Sequence, residues 1–272
     1  MKLCFRIFFK RMEFVSFCAK NFFVFALSNL LPNINESSRI SIGLYWTTAF
    51  ISFYWLTCLA LCLADVYILK IPFKNRESSH YSNPEIIRII SCVLFNQFVV
   101  TPLYMTVTTL TLSFYRQFWL PVLPIFISIP LFVILADFVF FLLHWISHWP
   151  LLYKHIHKQH HEIRTSFAAA AIYCHPVEMW FVNLLSGAIP AFLVGFDDSM
   201  ILVVVTASAI DTTVAHSRFS ALHFIHHEIT FSMFGTSLDF FDRIFKYHYH
   251  ADSEKIAQMK EKWTHTKQNL QQ

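Results

Sequence analysis

The sequence predicts an all-α integral membrane protein. Of its 272 residues, 56% are hydrophobic and only 14% are charged, whereas a soluble domain carries about 25% charged residues. The mean hydropathy is +0.48, and the chain holds 31 phenylalanines but only 4 glycines. A lipid bilayer tolerates this much apolar surface and water does not. The composition therefore excludes a disordered chain, a collagen-like chain and an ordinary soluble enzyme.

Several apolar stretches are long enough to cross a bilayer, since about 20 apolar residues suffice. The first is weak and follows a basic N-terminus, which is typical of a signal anchor. The last two are arms of a helical hairpin that either dips into the bilayer or crosses it. The predicted stretches are residues 14–31, 41–69, 89–114 and 120–145, with hairpin arms at 176–196 and 200–214.

Lysine and arginine are concentrated on one side of these spans. With the N-terminus in the cytosol, the tail at residues 1–11, the linker at 70–88 and a histidine-rich segment at 147–165 share the cytosolic side. Most basic residues of the first 165 positions lie in these three segments, as expected for cytosolic loops. The net charge is only +4 and forms no long run. We therefore expect no nucleic-acid partner.

Histidine is the unusual component of this apolar chain, with 15 residues in all. His144 and His148 are four residues apart, so both rings can point at one metal from one helix face. Asp137 lies two turns earlier on that face and could orient a ligand imidazole through its second nitrogen. Two core histidines at a helix end are the alternative interpretation of this pair.

Two further histidine boxes repeat each other as HKQHHEI and HFIHHEI, beginning at His157 and His223. In each box the spacing i, i+3, i+4 is predicted to bring three imidazoles to one side of a helical turn. With the first pair they supply eight imidazoles, more than the four that one structural zinc needs, so we expect two metal ions. His216 is a candidate ninth ligand. The predicted ligands are His144, His148, His157, His160, His161, His216, His223, His226 and His227.

Other histidines have simpler interpretations. His175 precedes a proline and is either a further ligand candidate or a cap of the hairpin, while His248 and His250 are expected at the surface. A metal-binding membrane transporter is an alternative of another functional class. Transporters place polar ligands near the middle of the bilayer, whereas these boxes lie at the ends of spans and in polar segments.

The order HxxxH, HxxHH and a later HxxHH on a hydrophobic chain resembles the fatty acid hydroxylase superfamily, which includes sterol oxidases, sterol desaturases and sphingolipid hydroxylases. The resemblance covers residues 137–245. The family's Gly after His-Ser is Arg218 here, and its closing Gly-Thr is Lys246-Tyr247. Further matching elements are Leu152-Tyr153-Lys154, Tyr173-Cys174-His175-Pro176-Val177-Glu178, Ala215-His216-Ser217 and Asp239-Phe240-Phe241-Asp242-Arg243-Ile244-Phe245.

The resemblance implies transmembrane helices with a histidine-rich di-iron helical cap at the cytosolic face of the endoplasmic reticulum. It implies O₂-dependent hydroxylation of a sterol or related lipid, as in C4-methylsterol oxidases and cholesterol 25-hydroxylases. Electrons would come from NAD(P)H through cytochrome b5 or a similar separate donor. A lipid desaturase is the alternative activity. The expected division is N-terminal spans at residues 1–119, a catalytic region at 120–246 and a polar tail at 247–272.

Overall fold

The structure is a computed structural model, and the part of the chain that it describes is mainly helical. The weak apolar stretch expected at residues 14–31 and the polar tail from residue 249 onward lie outside the described residues. Helices and no strands occur in the described part, so the expected all-α class is confirmed. The described residues are 38–69, 77–115, 124–163, 166–217, 219–220, 223, 226–227, 230, 232–236 and 238–248.

The helices are joined or extended by short π-helical and 3₁₀ turns. The π-helical turns are Ala64–Ile68, Asn96–Val100 and Met179–Leu184. The 3₁₀ turns are Glu77–His80, His157–Glu162 and Ala168–Ala170. The helices are α1 (Arg39–Leu63), α2 (Asn83–Phe95), α3 (Thr101–Tyr115), α4 (Ile125–Ser147), α5 (Pro150–His155), α6 (Pro176–Glu178), α7 (Leu185–Leu193), α8 (Asp198–Ala215) and α9 (Phe240–Ile244).

Five helical stretches are long and apolar enough to cross a membrane, which confirms the expected multi-pass architecture. The span expected from residue 120 begins as a helix at Ile125, directly after Pro124. Proline suits this place because it lacks the backbone N–H and its φ is preset for a helix start. The five stretches are Arg39–Ile68, Asn83–Phe114, Ile125–Ser147, Pro176–Leu193 and Asp198–Ala215.

The hairpin formed by α6, α7 and α8 extends through the full depth of the helical bundle. Asp197 begins α8 by accepting a hydrogen bond from the backbone N–H of Met200 at 2.8 Å. The next residue, Asp198, is fully buried and accepts from Arg39 at 2.8 Å. Because Arg39 is the first residue of α1, the hairpin turn reaches the level at which that span begins. Of the two alternatives, the structure favours a hairpin that crosses.

Helix α1 packs between α3 and α8, so the N-terminal spans and the histidine-bearing region share one core. Trp46 and Tyr54 of α1 are fully buried. The hydroxyl of Tyr54 donates to the backbone carbonyl of Ala169 at 3.1 Å, in the 3₁₀ turn beside the histidine boxes. The first span therefore supports the chain around the boxes directly.

The π-helical turn between α2 and α3 holds a buried amide. The side chain of Asn96 donates to the backbone carbonyls of Ile172 and Cys174, each at 2.9 Å. π-helical turns occur frequently at functional sites because they redirect side chains within a helix. Here the turn points the Asn96 amide at the carbonyls of the residues before and after Tyr173. The carbonyl of Tyr173 itself contacts His160.

The close approach of α1 to α3 depends on Gly43. A Cβ atom at this position would lie 3.0 Å from both the Cα and the N of Thr106. These are backbone atoms, so α3 itself must shift to make room. We expect Gly43→Ala to lower the free energy of unfolding by about 1–3 kcal/mol, measured by thermal unfolding of the solubilised protein.

Gly187→Ala is the matched control, because its Cβ would meet only Val204 Cγ1 at 4.0 Å. It should unfold at or slightly above the temperature of the unmodified protein, because Ala favours a helix by about 1 kcal/mol relative to Gly. Equal losses of stability in the two variants would contradict the close approach of α1 to α3 as the cause.

Candidate metal centre

The structure gathers nine buried histidines into two adjacent groups. Within each group, the ring nitrogens that face each other lie within 4.8 Å of one another. All nine residues predicted as ligands are included. The first group is His144, His148, His157, His161 and His226, and the second group is His160, His216, His223 and His227.

The histidines of each repeated box are divided between the two groups. The expectation that the three imidazoles of a box lie on one side of a helical turn is therefore wrong. His157 and His161 belong to the first group and His160 to the second. In the later box, His226 belongs to the first group, and His223 and His227 belong to the second. Consecutive residues on a helical turn point roughly 100–120° apart. An HH pair therefore cannot direct both rings at one ion, and it places one ring in each group.

The backbone and one carboxylate fix the orientation of five of these rings through Nδ1. A carbonyl or carboxylate oxygen only accepts, so each of these Nδ1 atoms carries the proton and the neutral ring keeps its lone pair on Nε2. The acceptors are Phe234 O for His144 at 2.8 Å, Glu178 Oε1 for His157 at 2.8 Å, Tyr173 O for His160 at 3.2 Å, Thr212 O for His216 at 2.7 Å and Ser232 O for His226 at 2.7 Å.

The lone pairs freed in this way converge on each other. In the first group, Nε2 of His157 lies 3.2 Å from Nε2 of His144. In the second group, the Nε2 atoms of His160 and His216 are 3.3 Å apart. Two bare lone pairs at such distances repel each other, and a cation between them removes the repulsion. The donor set therefore fits one metal ion in each group.

Burial keeps these rings neutral and available as ligands. Desolvation lowers the pKa of His157, His216 and His226 to about 3. It lowers the pKa of His160 as well, and with smaller contributions from neighbouring rings it also lowers those of His148 and His161. A neutral imidazole is the form that binds iron, zinc, copper or nickel.

Asp137 does not orient a ligand imidazole, contrary to expectation. Its carboxylate accepts from the backbone N–H and the hydroxyl of Thr236, at 2.9 and 2.7 Å. Asp242 accepts from the backbone N–H groups of Phe234 and Gly235, each at 2.7 Å. Together the two carboxylates hold the segment whose Phe234 carbonyl orients His144. Asp137 thus holds the backbone segment that orients His144 and does not contact a histidine ring itself.

Glu178 is the carboxylate that contacts a candidate ligand ring, a role that the spacing of the histidine boxes does not predict. It is buried, and its Oε1 accepts from Nδ1 of His157. The available signal was its place in the His-Pro-Val-Glu element, one helical turn after His175. A carboxylate on the second nitrogen of a ligand imidazole fixes the tautomer and raises the basicity of the ligand.

Two of the described histidines outside the two groups, His175 and His248, make structural contacts. His175 accepts a hydrogen bond from the backbone N–H of Val177 at 3.2 Å and so caps α6, the second of its two expected roles. The surface position expected for His248 is wrong. This ring is 6% exposed, and its Nε2 lies 3.0 Å from the carboxylate of Asp239. His250 lies outside the described residues.

A cavity of about 310 Å³ lies between α3, α4 and the hairpin and reaches the histidines. His144 of the first group and three members of the second group line it. Its other end is apolar and is lined by Phe132, Phe196 and Ile201 near the hairpin turn. From Ile201 to His216 the wall of α8 extends roughly 22 Å, at 1.5 Å per residue. The second group therefore faces a long apolar cavity.

Helical spans and two histidine groups that can hold metal define a class of membrane metalloprotein, and comparison with known proteins gives the family. Residues 129–247, which contain all nine histidines, match the family model described as fatty acid hydroxylase. This stretch is a fatty acid hydroxylase domain, and the resemblance is confirmed at the level of the superfamily. The narrower likeness to C4-methylsterol oxidases stays a prediction.

Three relatives illustrate the range of this similarity. The chain is 30% identical to the fatty acid hydroxylase ahd1 of Mycosarcoma maydis over 42% of this chain and 31% of the relative. It is 35% identical to a very-long-chain aldehyde decarbonylase of Oryza sativa over 32% of each. It is 26% identical to sphinganine C4-monooxygenase 1 of Arabidopsis thaliana over 75% of this chain and 87% of the relative.

The chain thus spans about a third of the length of the first two of these relatives. No solved structure matches it.

The role of Glu178 can be tested by removing its charge. We expect Glu178→Gln to weaken metal retention roughly 10- to 100-fold, because His157 loses its anionic partner. The measurement is the metal content of the purified protein after dialysis against graded concentrations of a chelator.

Glu162→Gln is the matched control, since Glu162 belongs to the same box but contacts Arg88 and the hydroxyl of Tyr173. It should retain metal as the unmodified protein does. Unchanged metal retention in Glu178→Gln would mean that the Glu178 carboxylate does not help His157 to bind metal.

Proposed function

We propose that the chain is a membrane-bound, non-haem di-iron monooxygenase that hydroxylates a long-chain lipid taken from the bilayer. The observation that carries the proposal is the second histidine group on the wall of a long apolar cavity. When bound to the nine histidines, two iron ions would supply the activation of O₂. In the overall reaction one oxygen atom enters a C–H bond and the other leaves as water, which consumes two electrons and two protons.

The shape of the cavity favours an extended hydrocarbon chain as substrate. The cavity lining runs from Ile201 near the hairpin turn to His216, roughly 22 Å along α8. An elongated apolar space of this length suits an extended hydrocarbon chain. We therefore propose a long-chain lipid in place of the sterol that the motifs suggested. The sphinganine hydroxylase among the relatives supports this choice by analogy.

The residues of this chain have three tasks in the reaction. Glu178 and the backbone carbonyls hold the ligand rings in the tautomer that presents Nε2. The apolar walls, including Phe132 and Phe196, bind the hydrocarbon chain and exclude water from it. His144 and the second group terminate the cavity, so they determine which carbon of the lipid approaches the metal centre.

We further propose that the histidine groups face the cytosol at the endoplasmic reticulum and receive electrons from NAD(P)H through cytochrome b5 or a similar carrier. Lys154 and Lys158 are exposed beside the second box, and basic residues mark cytosolic segments. The division into spans at residues 1–119, a catalytic region at 120–246 and a tail at 247–272 is part of the same proposal. Protection of residues 150–163 from protease in sealed microsomes would contradict this orientation.

The position of the histidines argues against a metal transporter. His144 lies in the last turn of α4, and His216 directly follows α8. The boxes lie between spans and not at their midpoints, where transporters bind ions. A desaturase would use the same histidine groups, and the chemical nature of the product distinguishes it from a hydroxylase.

The function is tested with purified, iron-loaded protein in bilayer nanodiscs, supplied with ¹⁸O₂, NADH and a cytochrome b5 reducing system. We expect a lipid product that carries one ¹⁸O atom, detected by mass spectrometry. In His223→Ala the iron content should fall from two ions towards one, and product formation should fall roughly 100-fold. A desaturated product without ¹⁸O would show that the protein is a desaturase and not a hydroxylase.

His155→Ala is the matched control for this assay. His155 is an exposed histidine beside the second box and belongs to neither group. It should keep both the iron and the activity. Product formation without O₂, or zinc in place of iron in the active protein, would refute the proposed function.

The cavity can be shortened to test the preference for a long chain. Gly187 lines the cavity, and a Cβ atom there would meet only Val204 Cγ1, at 4.0 Å. We expect Gly187→Leu to fold normally and to reduce the turnover of the longest accepted lipids by about tenfold or more, while shorter chains are oxidised as before. Gly187→Ala should reduce the turnover of the longest lipids by less. If both variants kept the chain-length preference of the unmodified protein, the substrate would not bind in this cavity.

A further inference from the structure

We propose that Trp145, Trp149 and Tyr247 form a relay that carries oxidising equivalents from the histidine groups to the protein surface. The relay gives the protein a second activity, the reduction of O₂ to water at the expense of a soluble thiol when no lipid occupies the cavity. The inference rests on the redox-active metal centre of the proposed function and extends it to an outlet for oxidation that meets no substrate.

The inner end of the relay is the buried ring of Phe234. Its centroid lies 5.0 Å from that of His148, 5.5 Å from that of His226 and 5.8 Å from that of His144, all in the first group. The ring of Tyr247 packs edge-to-face on Phe234 with centroids 5.1 Å apart. Electrons tunnel readily between rings in such contact, so Tyr247 is coupled electronically to the first group.

Two tryptophans continue the contacts from Tyr247 to the surface. The indole N–H of Trp145 donates a hydrogen bond to the hydroxyl of Tyr247 at 3.1 Å. Trp149, one helical turn later, packs edge-to-face on Trp145 with centroids 5.9 Å apart. Trp149 is 53% exposed and lies between the end of α4 and the start of α5. The series of contacts therefore leads from buried histidines to an exposed indole.

The residue types suit the transfer of single electrons. Tryptophan and tyrosine are the aromatic side chains that lose an electron most easily, whereas phenylalanine only mediates tunnelling between its neighbours. The phenol oxygen of Tyr247 is too weak a base to remove the indole proton of oxidised Trp145, so an electron moves alone. Trp149 then returns an electron to Trp145. A thiol at the surface restores Trp149 by giving up one electron and one proton.

The electrons and atoms of this second activity balance. With a lipid in place, O₂, two electrons and two protons convert a C–H bond into a hydroxyl and release one water. Without a lipid, the same two electrons from the carrier and two more along the relay reduce O₂ to two waters. Two thiols supply the relay electrons and two of the four protons, and they combine into one disulfide.

Tryptophans at the end of a span also occur because indole rings favour the interface between membrane and water. That preference accounts for the exposed Trp149. It does not account for the hydrogen bond between Trp145 and Tyr247 or for the packing of Tyr247 on Phe234. Substitution of tryptophan by phenylalanine separates the two roles, because phenylalanine keeps an apolar ring and is far harder to oxidise.

The test follows oxidising equivalents in the full-length, iron-loaded protein in nanodiscs whose lipids it does not hydroxylate. The reduced protein is mixed with O₂, or the oxidised protein with hydrogen peroxide, and the sample is frozen for electron paramagnetic resonance. We expect a tryptophan radical, identified by the narrower signal of protein labelled with ring-deuterated tryptophan. After repeated exposure, peptide mass spectrometry should find added oxygen mainly at Trp149, and glutathione should suppress it.

Two variants interrupt the relay at different points. In Trp145→Phe the tryptophan radical should disappear, and oxidation should move to Tyr153, whose ring centroid lies 5.6 Å from that of His148. Iron should then be lost several-fold faster, because the damage lies beside the ligands. Trp149→Phe should keep the radical at Trp145, prolong its lifetime several-fold and remove the effect of glutathione. The second variant alters an exposed ring, so it tests the relay even if Trp145→Phe folds poorly.

Trp180→Phe is the matched control. Trp180 is half-buried and packs edge-to-face on Tyr104, with centroids 5.0 Å apart, in the core of the spans. This variant should show the radical, the oxidation pattern and the iron retention of the unmodified protein. The absence of a tryptophan radical with either oxidant, or the same oxidation pattern in Trp145→Phe and Trp180→Phe, would overturn the inference.

Hydrogen peroxide requires neither a lipid nor an electron carrier, so the two proposals fail separately. A radical that depends on Trp145, in a protein that forms no lipid product from O₂, would refute the monooxygenase and leave the relay standing. O₂-dependent hydroxylation of a lipid without any tryptophan radical would refute the relay and leave the monooxygenase standing.

Discussion

The convergence of neutral imidazole nitrogens on two adjacent points is the interaction on which the rest of the structure depends. Bare Nε2 atoms lie 3.2 and 3.3 Å apart in the first and second groups, an arrangement that neutral rings do not hold unless other contacts fix them. Those contacts are hydrogen bonds from Nδ1 to main-chain carbonyls and to Glu178. A cation in each group would accept these lone pairs, so the donor geometry fits one metal ion per group.

Distant elements of the chain supply this orientation. Asn96, in a π-helical turn of the second span, holds the carbonyls on either side of Tyr173, and Tyr173 in turn orients His160. Asp137 in α4 holds the segment that orients His144. The membrane spans therefore contribute to the metal centre as well as to anchorage, and substitutions deep in the bundle can reach the ligands through one or two hydrogen bonds.

The crossing hairpin joins the metal centre to the lipid phase. Its second arm ends at His216, a member of the second group, and its turn is held at the start of α1 by the ion pair between Asp198 and Arg39. The cavity follows this arm, so the same helix that presents a ligand also forms the wall along which a hydrocarbon chain can lie.

The sequence by itself determined the helical membrane class, the hairpin and the nine clustered histidines, because spans and boxes are local patterns of hydropathy and spacing. Only the tertiary structure decided how the histidines of each box are divided between the two groups. His160 joins the second group and His226 the first because two segments 66 residues apart face each other. It also decided that Glu178 contacts a ligand ring and Asp137 does not, and that His248 is buried against Asp239. Helical spacing fixes which face a side chain occupies, whereas its partner across the interface depends on how the helices pack.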